Sequence, residues 1–547
     1  MTTSATTELS LLVDAGSAWT KAAVVGRSAG RWRIAAYAAQ PSSWPEVALI
    51  DALAARLSDS ADPRLHDRLR ALIAGAPRIS CHTPARPGRI ALAAVSADLS
   101  GGAARRAAES AGWVVVESAF LDDGRPAAER LAALQSIEVD AWLLAGGFDQ
   151  ESGEAALEVA GLVAAARGGT QSPVLWAGSA LMGDRVAALF EPKAVRILPN
   201  PRPSADRENV LPLRRYLEVM LVRLVEPGGA RQLAPVGFGR AAMALARVNG
   251  LRIAAVDLGA QYATLVSVDQ QGGAESLVLA RGGLTSPSLT APGNPARIAH
   301  SIPRAVDELA VADALQNLRA RPDVLPQGEE ELAIVHGVAR ALLRDLSGPG
   351  GHLEGVDLLI GAGRTIAGAP HPAQAMALLI DGFRPLGVTQ LAIDAAGLLG
   401  PLGALGDDEI LDGIEMIRDD LLVPLGASVV CRGTRPGHAA FRITMHRAGW
   451  PSVGPIEMRA GQLQVLPLAR GQSAELEIEL EPGVTLGGRP RTRRLRASVL
   501  GGAVGLVLDA RDIPLVLPRR IDDRRAVLAA WLDEMLHEPI PVVEASS

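Results

Sequence analysis

Residues 11–26, LLVDAGSAWTKAAVVG, constrain the fold more than any other part of the chain. The apolar run Leu11-Leu12-Val13 ends on Asp14, Ala15-Gly16-Ser17 reverses the chain, and a second apolar run, 22–25, carries it away. The pattern predicts a β-hairpin whose turn is small enough for backbone to approach another group closely. Successive N–H groups in such a turn form an anion nest. Ser17 and Thr20 supply hydroxyls, Lys21 a fixed positive charge, and Asp14 a carboxylate for a hydrated divalent cation. Together they suit a nucleotide triphosphate with magnesium.

Two observations single this hairpin out. Lys21 and Lys193 are the only lysines in the sequence, and a compact ammonium kept at such a turn points to a need for a point charge. The pattern also recurs, because residues 253–268, IAAVDLGAQYATLVSV, again read apolar strand, Asp, x, Gly, small residue, apolar strand. With the aspartates aligned, Asp257 matches Asp14, Gly259 matches Gly16, Ala260 matches Ser17, Ala263 matches Thr20 and Thr264 matches Lys21. Two such hairpins predict two related half-domains with a cleft between them and Asp14 facing Asp257 across it.

This pairing resembles the actin-like ATPase superfamily of actin, sugar kinases and heat-shock chaperones. The closer resemblance is to the glutamate mutase L family, also called MutL-type and unrelated to the mismatch-repair protein. Its landmarks are DAGSAWTK (14–21), VDAWLLAGGFD (139–149), SPVLWAG (172–178), ENVLPLRRYL (208–217), VDLGAQYATL (256–265), LLIGAGR (358–364) and LAIDAAGLLG (391–400), over about the first three quarters of the chain. The resemblance implies a duplicated, actin-like (ribonuclease H-like) α/β ATPase fold that takes ATP or ADP with Mg2+. Members of the family are associated with adenosylcobalamin-dependent carbon-skeleton mutases and are thought to act as ATP-dependent chaperones or reactivases.

The length predicts two or three domains. With 54 basic and 60 acidic residues the net charge is −6, which disfavours general nucleic-acid binding. Cys81 and Cys431 are too few and too far apart for a disulfide framework, and a reducing cytoplasm fits. The start MTTSATTELS has neither a basic region nor an apolar core, so no signal peptide is expected. The longest apolar runs are interrupted by charge or glycine before membrane-spanning length, which predicts a soluble protein with no membrane span.

Residues 1–84 and 201–250 are assigned to the first half-domain and 251–425 to the second. Between them, strand patterns at 90–95, 113–117, 141–144 and 174–176 alternate with helical ones at 103–111, 127–134 and 155–166. That alternation predicts a parallel sheet, a flavodoxin-like α/β insertion over 85–200. Its turn Gly146-Gly147-Phe148-Asp149 lies where an open α/β sheet binds ligands, although a tight loop with Asp149 near a helix start is the simpler reading. Residues 426–547 read as an appended β-rich domain with a closing helix, independent of the cleft. Within it GGRPRTRRLR (487–496) is basic, and alternation makes Arg489, Arg491, Arg493, Arg494 and Arg496 a solvated face by default.

Gly361-Ala362-Gly363-Arg364 follows a strand. It is not a dinucleotide fingerprint, because the third glycine would fall at Ile366. The resemblance makes it the adenosine motif, with bare backbone at Gly361 and Gly363 for purine and ribose, and with Arg364 stacking on the base or filling the pocket. Asp394-Ala395-Ala396-Gly397 resembles the opening of the second connecting helix, so Asp14, Asp257 and Asp394 are the candidate magnesium carboxylates. No lysine follows a glycine, which excludes a P-loop. No paired CxxC or HExxH is present, which argues against a conventional zinc site. His300, His336, His352 and His371 read as structural.

The family's second hairpin commonly reads Asp-x-Gly-Gly-Ala-Thr-Thr-Asp, whereas this chain has DLGAQYAT. Ala260 replaces the second glycine, Tyr262 and Ala263 the two threonines, and Thr264 the final aspartate. Asp257 and Gln261 remain as the catalytic candidates, Gln261 by orienting water. The expectation is a nucleotide-binding chaperone, reactivase-like or scaffold protein, at most a slow ATPase, whose client is an adenosylcobalamin-dependent mutase or another protein. A sugar-kinase-type phosphotransferase is the alternative, against which no carboxylate is placed as base for a substrate hydroxyl. A nucleotide-free actin-like interaction module is the third reading.

Overall fold

The computed structural model describes residues 9–537 apart from 29, 59–62, 84–87, 151–152, 226–231, 271–276, 348–351, 406 and 488–492. The chain divides into two compact units. One comprises residues 1–83, 237–272 and 282–547, the other 84–236 and 273–281.

The first unit opens with β1 (Leu9–Ala15), β2 (Trp19–Ser28) and β3 (Arg31–Pro41), followed by α1 (Glu46–Leu57), α2 (Pro63–Ala74) and β4 (Arg78–His82). β1 and β2 form the expected hairpin, with Asp14 opposite Lys21. β3 continues the meander, and β4 returns parallel to β1 with Cys81 beside Asp14. Leu49, Ile50, Leu53 and Ala54 share one stripe of α1, which they bury with Leu11, Ala22 and Val24 of the sheet.

The other unit holds β5 (Gly88–Ala94), α3 (Gly102–Ser110), β6 (Trp113–Phe120), α4 (Ala127–Gln135), β7 (Ala141–Ala145), α5 (Glu154–Arg167), β8 (Val174–Trp176), α6 (Gly183–Ala187), β9 (Val195–Ile197) and α7 (Leu211–Val225). Its strands run parallel in the order β6-β5-β7-β8-β9. That is the flavodoxin-like order 2-1-3-4-5 predicted from the alternation. α7 falls in the 201–250 segment assigned to the first half-domain. Its Leu213, Leu217 and Leu221 instead complete one face of this sheet with Ala104, Ala107 and Trp113, and the Trp113 indole donates to the Leu217 carbonyl at 3.0 Å. The Gly146–Gly147 turn has positive φ at both glycines. Asn200 ties it down by donating to the Gly147 carbonyl (2.9 Å) and to Asp149 (3.0 Å). Asp149 therefore braces a loop and does not cap α5, which begins at Glu154.

After β10 (Gln232–Leu233) and α8 (Ala234–Asn249) come β11 (Ile253–Leu258), β12 (Tyr262–Val268), β13 (Leu277–Gly282), α9 (Asn294–Ala299), α10 (Glu308–Ala320), α11 (Glu329–Leu346), β14 (Leu358–Ala362), α12 (Arg364–Ala367), α13 (Pro372–Phe383), β15 (Gly387–Asp394), α14 (Leu399–Leu402), α15 (Asp407–Met416) and β16 (Leu422–Val430). β11 and β12 repeat the first hairpin with Asp257 opposite Thr264. β14 repeats β4, parallel to β11 with Ala362 beside Asp257. The same hairpin and the same parallel neighbour, each with an aspartate in the same place, make the fold actin-like and duplicated. The second connecting helix is shorter than its sequence suggests, since α14 has a single turn. It crosses α8 with almost no spacing: a Cβ at Gly237 would overlap the Gly400 carbonyl, and one at Gly403 would overlap the Gly237 backbone.

β17 (Ala439–His446), β18 (Val453–Arg459), β19 (Leu463–Leu466), β20 (Ser473–Leu480), β21 (Arg494–Leu500), β22 (Gly505–Asp509) and α16 (Ile521–Leu536) complete the chain. β18, β17, β20 and β21 form an antiparallel sheet. Strict alternation in β20 buries Ala474, Leu476, Ile478 and Leu480 and exposes the glutamates between them. Arg494 and Arg496 pair across the strands with Glu479 and Glu477, as a solvated face should. Arg489 and Arg491 lie outside the described residues.

This part is not set apart from the second half-domain. β22 pairs parallel with β16, and β19 pairs with β22, so the second sheet runs β12-β11-β14-β15-β16-β22-β19. The boundary expected at 425/426 falls inside β16. The reason is legible in GLVLD: β22 is buried along its whole length. Leu506 and Leu508 face the antiparallel sheet, while Val507 faces the α11–α13 core. A strand buried on both faces belongs inside a sheet and not at the edge of a separate domain.

The α8–α14 crossing gives a paired test. Gly403→Ala, which drives a methyl into backbone, should destabilise the protein by about 2–3 kcal/mol. Gly413→Ala, within α15 where a Cβ meets nothing within 4 Å, should be neutral or stabilising by about 0.5–1 kcal/mol. Denaturant midpoints of the two variants check the contrast, and equal effects would refute the close crossing.

Candidate functional site

Both hairpins end on an aspartate because the apolar strand before each is buried and the turn after it is not. In the first turn, Ser42 donates to the Gly16 carbonyl (2.7 Å) and lies 3.0 Å from the Thr20 hydroxyl. Thr20, expected at phosphate, thus braces the turn. Ser17 makes no side-chain hydrogen bond among the described residues and stays at the tip. A Cβ at Gly16 would overlap the Trp19 carbonyl, so residue 16 must be glycine for the turn to close.

Lys21 is the centre of the site. Its Nζ lies 3.0 Å from Asp14 Oδ2, and Asp14 Oδ1 faces the buried Cys81 thiol at 3.6 Å. The lysine stem runs over Gly397 in the second half-domain, where an added Cβ would sit 2.5 Å from Lys21 Cδ and 2.7 Å from Nζ. Burial opposes the ammonium charge, but Asp14, Asp257 and Asp394 outweigh it and push the pKa above its ordinary 10.5. One cation from the first half therefore faces three carboxylates, two of them from the second half, which places Asp14 and Asp257 in one constellation. Cys81 had no motif signal of its own, and Gly397 appeared only as the end of the Asp394-Ala395-Ala396-Gly397 motif with no role assigned. Cys81 is in the site because it is the parallel neighbour of Asp14, and Gly397 because its φ of +68° and its contact with Lys21 admit no side chain.

The three carboxylates differ. Asp394 is 1% exposed and accepts from the Gly397, Leu398 and Leu399 amides at 2.7, 3.1 and 2.9 Å. Burial raises its pKa while those amides hold it down. Asp257 has no such support: its Oδ1 is shut from solvent without a hydrogen-bond partner. Burial first, then Asp14 and Asp394, lift its carboxyl to about 6, with Lys21 pulling the other way. Among the described residues no three His, Cys, Asp or Glu side chains converge as a metal site. Mg2+ is held by one or two carboxylates and keeps its waters, and of the three candidates Asp14 is paired with Lys21 while Asp394 accepts backbone amides. Asp257, with an unpartnered buried oxygen, is the carboxylate whose chemistry still fits a cation.

The second turn is held from outside. The Gly283, Leu284 and Thr285 amides donate to the Gln261, Gly259 and Ala260 carbonyls at 2.8, 3.2 and 2.8 Å. The Thr285 hydroxyl adds a bond to the Ala260 carbonyl at 2.9 Å. Gln261 Oε1 is buried and unpartnered at the tip, and Thr264 is 2% exposed on β12. A Cβ at Gly361 would meet Ile366 and Leu379, and one at Gly363 (φ +88°) would strike the Leu258 backbone. Arg364 is exposed and stacks on Trp19 of the first turn, 4.7 Å from the ring centroid.

A search of curated proteins finds no match. Similar solved structures include the PPX-GPPA enzyme of Aquifex aeolicus, at 11% identity, 75% of this chain, 91% of that one and a TM-score of 0.18. The PilM-PilN type IV pilus biogenesis complex matches at 14%, 75%, 98% and 0.23, and xylulose kinase from Bifidobacterium adolescentis at 11%, 74%, 93% and 0.24. At such scores they carry no argument about this chain, whose fold is read from its own repeated strand order. Among the described residues no helix is long and apolar enough to cross a membrane. Residues 10–280 match the family model described as MutL protein. Over those residues the chain belongs to the MutL family, the glutamate mutase L family that its two hairpins resemble.

Proposed function

We propose that the cleft between the two hairpins binds ATP or ADP and that the chain works as a slow nucleotide switch. Its output would be the holding or remodelling of a protein client, of which an adenosylcobalamin-dependent mutase is the first candidate from the family resemblance. The observation that carries this reading is the part-buried Lys21 ammonium, paired with Asp14 of its own half-domain and packed over Gly397 of the other. A phosphate chain entering between the turns would exchange the Asp14–Lys21 pair for a phosphate–Lys21 pair, a change felt by both halves at once. Ser17 and the first-turn amides supply further donors. Magnesium arriving with the nucleotide would keep most of its waters and take one carboxylate, and Asp257 fits that part. Gln261, with its unpartnered oxygen, fits the role of orienting a water. Thr264 in place of a second carboxylate supports slow turnover.

Calorimetry tests binding. The unmodified protein should release or absorb heat with ATP and ADP in magnesium. Lys21→Ala should weaken binding by roughly one to two orders of magnitude at fixed salt, the cost of one charge-assisted contact of about 1.5–3 kcal/mol. Absence of heat with both nucleotides at concentrations that detect weak binding would sink the nucleotide reading and leave the interaction module.

A second expectation follows from Asp257. Its carboxyl is raised from 3.8 to about 6, so the folded chain holds this proton more tightly than the unfolded chain does. The group costs nothing below pH 3.8; the cost grows through the window up to 6 and is complete above it. Without nucleotide, Asp257→Asn should therefore stabilise the protein by about 1–3 kcal/mol near pH 7.5 and leave it unchanged well below the window. Unfolding curves that coincide near pH 7.5 would contradict the unsupported burial of Asp257.

A further inference from the structure

Two residues before Lys21, Trp19 shares its face of β2. Ala22 and Val24 of that strand turn the other way and pack with α1, and side chains two apart in a strand lie on one face. Trp19 and Lys21 therefore point to the same side of the sheet, about 7 Å apart along the strand. That side is open beside the lysine: Ala39, its cross-strand neighbour on β3, is exposed.

The indole of Trp19 is half-buried, and the Arg364 guanidinium that covers it comes from the second half-domain, 4.7 Å from the ring centroid. Arg364 is itself exposed, and no ion pair among the described residues holds it there. An exposed cation–aromatic contact of this kind is weak, whereas a nucleobase stacked on an aromatic ring gains more. A phosphate chain that engages Lys21 carries its nucleoside along the same face, within reach of residue 19. Resting on the nucleotide reading above, we propose that Trp19 is the base platform of the cleft, on which the nucleobase takes the place of the Arg364 guanidinium. Stacking reads the ring face and not the hydrogen-bonding edge. The ligand class that fits is a purine nucleotide, with adenine and guanine held alike.

Calorimetry in magnesium at fixed salt tests this with ATP, GTP and inorganic tripolyphosphate, which has the phosphates without a base. The unmodified protein should bind ATP and GTP within about threefold of each other and about tenfold tighter than tripolyphosphate. Trp19→Leu should lose that tenfold for both nucleotides and keep its affinity for tripolyphosphate, and Trp19→Phe should restore most of the loss. The preference of the unmodified protein is a readout that stands even if Trp19→Leu fails to fold. The platform would be overturned by tripolyphosphate binding as tightly as ATP, or by a large preference for ATP over GTP. A Trp19→Leu variant that keeps the tenfold preference, or that weakens for all three ligands alike, would overturn it too. Each of these outcomes leaves phosphate binding at Lys21 standing, whereas absence of heat with all three ligands would remove the nucleotide reading and the platform together.

Discussion

The ion pair between Lys21 and Asp14 is the contact on which the rest of the arrangement depends. Two strands with related sequences bring their terminal aspartates together, and Asp394 adds a third carboxylate from β15, two strands along the second sheet. Three carboxylates in one buried place repel each other. One ammonium, reaching from the first half across Gly397, makes their proximity tolerable. The remaining strain is divided unequally. Asp394 is settled by three backbone amides, whereas Asp257 meets burial with an oxygen that bonds to nothing and carries its raised pKa as the result. A buried pair of this kind is weak evidence of stability, because desolvation offsets most of the attraction. Under the proposed function it is the contact whose partner an incoming phosphate would replace.

What surrounds the pair points the same way. Gly363 lets its turn lie against the Leu258 backbone, and Gly237 and Gly403 let α8 and α14 touch backbone to backbone. The two loops at its rim meet through a side-chain stack, Arg364 on Trp19, and that contact is exposed and cheap to break. Arg31 and Arg33 of β3 pair with Glu415 and Asp420 of the second half at the surface, where each pair contributes little energy but fixes relative placement. A part-buried ion pair thus lies between the two halves, with a single exposed side-chain stack beside it.

Much of this was legible in the residues. The hairpins, their alignment on Asp14 and Asp257, and the flavodoxin-like insertion follow from local patterns: apolar runs of strand length, turn glycines, and strand–helix alternation. What was missed depends on pairing between distant segments. GLVLD reads as an ordinary strand, and only its pairing with β16 shows that residues 505–509 belong to the second sheet. The apolar face of α7 was evident, but not that it covers the insertion. Three aspartates at strand ends look like ligands in sequence, and the reach of Lys21 into their midst is a tertiary fact. Likewise Gly361 and Gly363 were read as room for a ligand, while the space beside each is taken by the protein's own Ile366, Leu379 and Leu258.

The presence of only two lysines makes the central claim directly measurable. Lysine labelled with 15N at the side chain should give two ammonium signals in NMR, one each for Lys21 and Lys193. The account predicts that the Lys21 signal stays protonated above the ordinary lysine value of 10.5, exchanges its protons slowly, and shifts when ATP and magnesium are added while Lys193 does not move. A Lys21 signal that titrates like Lys193 and is indifferent to nucleotide would show that the ammonium is neither locked among the carboxylates nor the group that a phosphate engages.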